Sequence, residues 1–196
     1  MMIYLDNAAT SYPKPETVYR RIDHILRKIS GNPGRASHRM AIEASRVVFS
    51  AREAAGKLIN IPDSSRIAFT KNATEAINIA LKGLLKPGEH VITTSFEHNS
   101  VVKTLGRLSK DGVKVTKVRP DKDGFVGVET IASAITNETR VVCLSHASNV
   151  FGALQDIESI GALCKEKGVI FMVDGAQTVG ALPIDAPAMN IDILAA

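Results

Sequence analysis

Four short stretches of this sequence carry side chains suited to holding a flat, charged, heteroatom-rich ligand. The first, Phe69-Thr70-Lys71-Asn72-Ala73-Thr74-Glu75, joins a β-like run to a helical pattern. The opening turn of a helix leaves backbone N–H groups unpaired and carries partial positive charge, so it favours a phosphate. The Thr74 hydroxyl adds a donor, although capping of the helix by Asn72 or Thr74 explains the same residues. The second, Ser95-Phe96-Glu97-His98-Asn99, offers an imidazole that can stack on a planar group or move protons near neutral pH. A structural or merely exposed histidine is the plainer alternative. The third, Ser145-His146-Ala147-Ser148-Asn149-Val150-Phe151-Gly152, is dense in small hydrogen-bonding residues, and Asn149 can both donate and accept. A turn closed by local side-chain bonds fits it too. In the fourth, Phe171-Met172-Val173-Asp174-Gly175-Ala176-Gln177-Thr178, Asp174 ends the most apolar run of the chain. A carboxylate there is costly without a cationic or hydrogen-bonding partner, and a protonated ring nitrogen would be one. Capping of a helix from Gln177 onward is the alternative.

The elements that must position these stretches alternate. Apolar residues at helical spacing predict helices from Pro15 to Ile29 and from about His38 to Leu58. Beyond these, β-like runs at Arg66–Thr70, His90–Thr94, Lys114–Val118, Arg140–Ser145 and Val169–Asp174 are interleaved with helical patterns. Those patterns fall at Thr74–Leu85, Ser100–Asp111, Val128–Ile135 and Asp156–Lys167. Such alternation predicts an α/β fold, a mostly parallel sheet between helical layers. In open sheets of this kind ligands collect at the carboxyl ends of the strands, where all four stretches fall.

Composition narrows the classes. The 196 residues are 45% hydrophobic, enough for a substantial core, and one domain spanning 1–196 is the expectation. The net charge of +4 arises from scattered charges, with no basic block and no Trp, so no nucleic-acid partner is expected. No apolar run reaches membrane-spanning length, so no membrane partner is expected and the protein is read as cytoplasmic. Cys143 and Cys164 have neither metal nor disulfide spacing. His38, His90, His98 and His146 form no short ligand motif, so no metal is expected. A nicotinamide site is disfavoured, because the first strand–helix turn lacks the glycine fingerprint.

Six motifs stand in one order: LDNAAT at 5–10, NPGRASH at 32–38, TKNATEAIN at 70–78, EHNS at 97–100, HASNVFG at 146–152 and VDGAQTVG at 173–180. Together they resemble the class V aminotransferases, fold type I pyridoxal-phosphate enzymes, and most closely their cysteine desulfurase branch. The resemblance implies the PLP-binding large domain of that fold, truncated, with pyridoxal 5'-phosphate as cofactor. By it, Asp174 pairs with the pyridinium nitrogen, His98 stacks on the ring and serves as the catalytic acid/base, and Gln177 bonds the ring oxygen. Asn149 lies near that oxygen and the substrate carboxylate, and Asn72, Ala73 and Thr74 cradle the phosphate. Asn7, Ala8 and Ala9, with Arg35 and His38, lie by the substrate entrance or a dimer interface. The family often has Gly or Thr where this chain has Asn72 and Ala73.

The implied activity of the intact protein is removal of sulfur from L-cysteine, giving alanine and an enzyme persulfide. A homodimer and a sulfur-acceptor protein are the implied partners. Amino transfer, selenocysteine cleavage and a non-catalytic domain of the same fold are the alternatives. The family's cofactor-anchoring lysine would fall about four residues past Ala196, and neither Cys143 nor Cys164 matches the sulfur-accepting cysteine. The 196-residue chain by itself is therefore expected to be inactive, and to expose apolar surface that promotes aggregation.

Overall fold

The computed structural model describes residues 3–29, 31–34 and 37–196. The chain divides into two compact units, one of residues 1–57 and 62–68, the other of residues 58–61 and 69–196. Arg35 lies outside the described residues.

The first unit contributes α1 (Glu16–Lys28) and most of α2 (Arg39–Leu58). Helix α1 starts directly after Pro15, whose φ of −55° suits a helix entrance. Its Glu16 and its Arg27 and Lys28 oppose the helix dipole at the two ends. The expected apolar stripe is present, but α1 buries none of its residues, and Tyr19, Ile22 and Leu26 are exposed. Helix α2 buries Ala41, Ala44 and Gly56, small residues that permit close approach.

In the second unit five strands form one parallel sheet: β1 (His90–Thr94), β2 (Lys114–Val118), β3 (Thr139–Ser145), β4 (Ile170–Asp174) and β5 (Ile193–Ala195), in the order β2-β1-β3-β4-β5. Helices α3 (Ala73–Leu84), α4 (Asn99–Lys110), α5 (Val128–Ala134) and α6 (Ile157–Lys167) connect or flank them. Strand side chains alternate between faces, and the core divides accordingly. Val91, Val141, Cys143 and Met172 join Ile77 and Leu81 of α3 and Val101 and Leu105 of α4. Ile92, Val142, Leu144, Phe171 and Val173 join Ile131 of α5 and Ile157, Ile160 and Cys164 of α6. Strands β1, β3 and β4 thus place apolar residues on both faces because both are covered, as a sheet between helical layers requires, whereas the edge strand β2 is largely exposed.

One expected strand is absent. Ser64–Arg66 forms a single 3₁₀ turn, and the segment that follows joins none of the five strands, although Ile67 is extended. β-branched and aromatic residues favour extension, but a strand also needs a neighbour for its N–H and C=O groups. Conversely, β5 was not expected, and it forms because β4 supplies its ladder through Met172↔Ile193 and Val173↔Leu194. Nor does a helix follow Asp174: the chain turns there, with the Thr178 amide donating to the Gly175 carbonyl at 2.9 Å.

At the amino end of the sheet His90 is buried, its ring bonded to Thr139 Oγ1 and Thr116 Oγ1 at 2.8 Å each, which ties β1 to both neighbours. Helix α6 ends at Gly168, which adopts φ +65° and lets the cap amide reach the Cys164 and Lys165 carbonyls. Gly168→Ala is expected to lower stability by about 1 kcal/mol, because Ala resists this left-handed conformation even though the space is open. Urea denaturation would read that loss as a lower midpoint with an unchanged slope.

Candidate functional site

The strand order fixes where a ligand can enter. From β1 the chain passes through α4 to β2 on one side, and from β2 through α5 to β3 on the other side of β1. Connections therefore leave β1 and β3 in opposite directions, and a crevice opens between their carboxyl ends. The paired register of β1 and β3 runs only as far as Ile92↔Val142. A cavity of about 180 Å³ is lined by residues that follow β1, β3 and β4 and by the start of α3.

Helix α3 contributes Asn72, Ala73 and Thr74. The Asn72 side chain caps the helix, accepting from the Glu75 amide at 2.9 Å. Ala73 and Thr74 form the first turn, whose amides have no partner within an α-helix, and both residues line the cavity. Capping and anion binding are thus compatible here, with the positive end of a 12-residue helix behind them.

The segment after β1 contributes His98 and Ser100. His98 is the N-cap of α4: its Nδ1 accepts from the Ser100 amide at 3.2 Å and lies 2.8 Å from the Ser100 hydroxyl. A backbone amide can only donate, so Nδ1 is unprotonated while the cap holds, and the neutral ring carries its proton on Nε2. Any proton that His98 moves with the cap intact therefore moves at Nε2.

Ser145, Ala147 and Asn149 come from the end of β3 and its turn. That turn is closed by the Ser148 amide on the Ala153 carbonyl at 3.1 Å and the Gly152 amide on Ser148 at 2.9 Å, with Gly152 at φ +68°. Asp174, Ala176 and Gln177 come from the end of β4. Asp174 is 6% exposed, and burial pushes its carboxyl above the usual range, partly offset by the Ala176 amide. The Ala176 amide donates to its Oδ1 at 3.1 Å. A buried carboxylate suits a cationic partner.

All seven residues expected around a cofactor, Asn72, Ala73, Thr74, His98, Asn149, Asp174 and Gln177, thus line one cavity. Ala8, Ala9 and His38 belong to the first unit, whereas the cavity is built from the second alone. Ala9 closes a turn onto the Asp6 carbonyl, and His38 accepts from the Ala41 amide at the start of α2. No lysine lines the cavity among the described residues.

Several residues stand inside these motifs without a role assigned from the sequence. Ser100 and Ser145 line the cavity, and His146 is buried with Nδ1 2.9 Å from Thr178 Oγ1, joining the β3 and β4 turns. Glu97 is half-buried, accepting from Thr94 Oγ1 at 2.6 Å and from the Ser145 amide and hydroxyl at 2.9 and 2.8 Å. A carboxylate directly before the candidate histidine was the available signal.

The arrangement suits a planar ligand bearing an anionic group and a basic ring nitrogen. Comparison with known proteins points the same way: the class-V aminotransferase family model matches residues 3–196. The chain belongs to the class-V aminotransferase family. A cysteine desulfurase IscS of Shewanella denitrificans is 38% identical over 197 residues, covering 98% of this chain and 48% of the relative. That of Shewanella sediminis is 39% identical with the same coverage. The chain spans about half the length of these curated relatives. Among solved structures, SspA in complex with cysteine superposes with a TM-score of 0.91 at 32% identity, covering 99% of this chain and 57% of that one. The apo cysteine desulfurase of Thermococcus onnurineus NA1 gives 0.91 at 31% identity, covering 98% and 48%. The fold is that of the fold type I pyridoxal-phosphate enzymes. No helix among the described residues is long and apolar enough to cross a membrane.

Proposed function

We propose that this class-V chain is the cofactor-binding part, residues 1–196, of the large domain of a pyridoxal-phosphate-dependent cysteine desulfurase. The observation that carries this reading is the meeting of a buried carboxylate, an imidazole and a helix mouth in one cavity. Pyridoxal phosphate, when bound, supplies an electron sink for charge developing at the substrate Cα. Asp174 holds a proton on the ring nitrogen, a role that a carboxylate excluded from water fulfils strongly. His98 packs on the ring and holds or moves a proton at Nε2. Gln177 and Asn149 orient the ring oxygen, Asn149 also facing the substrate carboxylate. Asn72, Ala73 and Thr74 bind the phosphate through amides and a hydroxyl. Substrate selection by Ala8, Ala9, Arg35 and His38, a homodimer, a cytoplasmic setting and a protein sulfur acceptor belong to the same proposal.

The test has two arms. The 196-residue chain is expected to bind pyridoxal phosphate reversibly, and borohydride reduction followed by peptide mass spectrometry is expected to find no stoichiometric lysine adduct, since no lysine lines the cavity. A specific adduct with turnover would overturn the expected inactivity of the chain alone. The complete protein is expected to release alanine from L-cysteine. Amino transfer to a keto acid without alanine release would replace the desulfurase reading by an aminotransferase one.

A further inference from the structure

Glu97 is the most deeply engaged carboxyl group near the cavity, yet it does not line it. The β1–β3 ladder ends at Ile92↔Val142, where the two strands part to form the crevice. Three residues beyond β1, the Glu97 side chain takes over from the ladder. Its Oε2 accepts from the Ser145 amide and hydroxyl, and its Oε1 from the Thr94 hydroxyl, so one carboxyl spans the ends of both strands. Ser145 sits opposite Asp174 in the β3–β4 register, and the next amide, of His146, donates to the Asp174 carbonyl at 2.9 Å. Glu97 is followed directly by His98. The groups on both walls of the crevice therefore take their positions from one side chain.

We propose that Glu97 is a positioning residue: its carboxyl staples β1 to β3 across the crevice and so fixes His98 and Asp174 relative to each other. The inference rests on the reading that the cavity takes pyridoxal phosphate. Two titratable groups act on or feel Glu97, Asp174 at the end of β4 and Cys143 on β3, and His98 is its neighbour in the chain. Burial, reinforced by Asp174, pushes Glu97 up to about 7 against the hydrogen bonds that lower it. The Ser145 amide can only donate, so in the neutral form the proton resides on Oε1, and the Thr94 hydroxyl turns to accept it. Glutamine reproduces that form, with its oxygen toward Ser145 and its NH₂ toward Thr94, whereas alanine removes the staple.

The experiment compares the unaltered chain with Glu97→Gln and Glu97→Ala, and with Glu97→Met, which fills the space without the bonds, should the alanine variant fail to fold. Without ligand, hydrogen exchange of the Ser145 amide is expected to accelerate about tenfold or more in E97A and to stay slow in E97Q. With pyridoxal phosphate as probe, E97A (or E97M in its place) is expected to bind about tenfold or more weakly and to lose the induced circular dichroism that reports a fixed ring. E97Q is expected to retain both. The unaltered chain is also expected to lose stability as pH rises from about 4.5 through about 7, the signature of a carboxyl whose folded value is raised. E97Q is expected to lack that step. Protected Ser145 exchange and unchanged probe binding in a folded E97A would overturn the staple. An unaltered chain that takes no pyridoxal phosphate overturns the cofactor reading instead, and the exchange arm still judges the staple.

Discussion

Replacing Asp174 with asparagine is expected to weaken pyridoxal phosphate binding by roughly 30- to 1,000-fold while leaving the chain at least as stable at pH 8. The two effects have one cause. Asp174 is buried at the end of β4, and desolvation is the largest influence on its carboxyl, raising it above the ordinary value of 3.8. A raised carboxyl contributes stability that is fully present below its unfolded value and lost as pH rises through its folded one. Above that window the folded chain holds a carboxylate it would be more stable without. Asparagine is nearly isosteric, keeps an oxygen for the Ala176 amide and carries no charge. The ligand-free variant should therefore lose the pH-dependent step and gain stability at pH 8. Under the proposed function the bound state reverses the sign, because the carboxylate's compensation would be a cationic ring nitrogen, and an amide beside it would leave that charge unpaired. About 2–4 kcal/mol of binding should be lost, within the range found on truncating one partner of a buried, hydrogen-bonded charge pair. Ligand titration with urea denaturation at pH 5 and pH 8 reads both quantities. Binding equal to that of the unaltered chain would remove Asp174 from the proposed site.

That opposition bears on what the sequence could reveal. The carboxylate was conspicuous because it terminates an apolar run, a local conflict that function explains and stability does not. The strands β1, β2, β3 and β4 were readable as short β-like runs set between helical patterns. The four ligand-facing stretches were readable because each stands beside an element boundary. Features that depend on distant partners were not. Ile193-Leu194-Ala195 is too short to announce a strand and becomes one only beside Met172 and Val173. Arg66–Thr70 has the residues of a strand but no partner in this sheet. Glu97 acts on Ser145, 48 positions later, and no pattern around either residue encodes that bond. Nor did competing local readings exclude the functional ones. Asn72 and His98 both cap helices, and capping is what aims the α3 mouth and directs the His98 proton to Nε2.

Gly161→Ala should show how the helical layer beneath the site fixes that geometry, lowering stability by about 2 kcal/mol or more. On helix propensity alone the change should help by about 1 kcal/mol. Steric overlap decides otherwise: a Cβ at position 161 would collide with the Met189 carbonyl oxygen and press to 3.3 Å from the Phe171 ring. Neither neighbour can yield cheaply. Phe171 is fully buried, and the Met189 turn is held by the Met189 amide on the Asp185 carbonyl and the Ile191 amide on Ala186, both 2.9 Å. The turn is also tied to β4, where Asp192 and Phe171 exchange bonds of 3.0 and 2.8 Å. Any shift of α6 or the turn must pass into β4, whose far end presents Asp174. A fall in melting temperature of roughly 4–8 °C is expected, with weaker pyridoxal phosphate binding alongside it. Gly106→Ala supplies the contrast: it lies in α4, is exposed, and its added methyl would meet nothing within 4 Å, so the same substitution should stabilise by up to about 1 kcal/mol. Opposite signs at the two positions are the expected result. Equal shifts at 161 and 106 would mean that α6 does not pack against the Met189 turn closely enough to hold β4 in place.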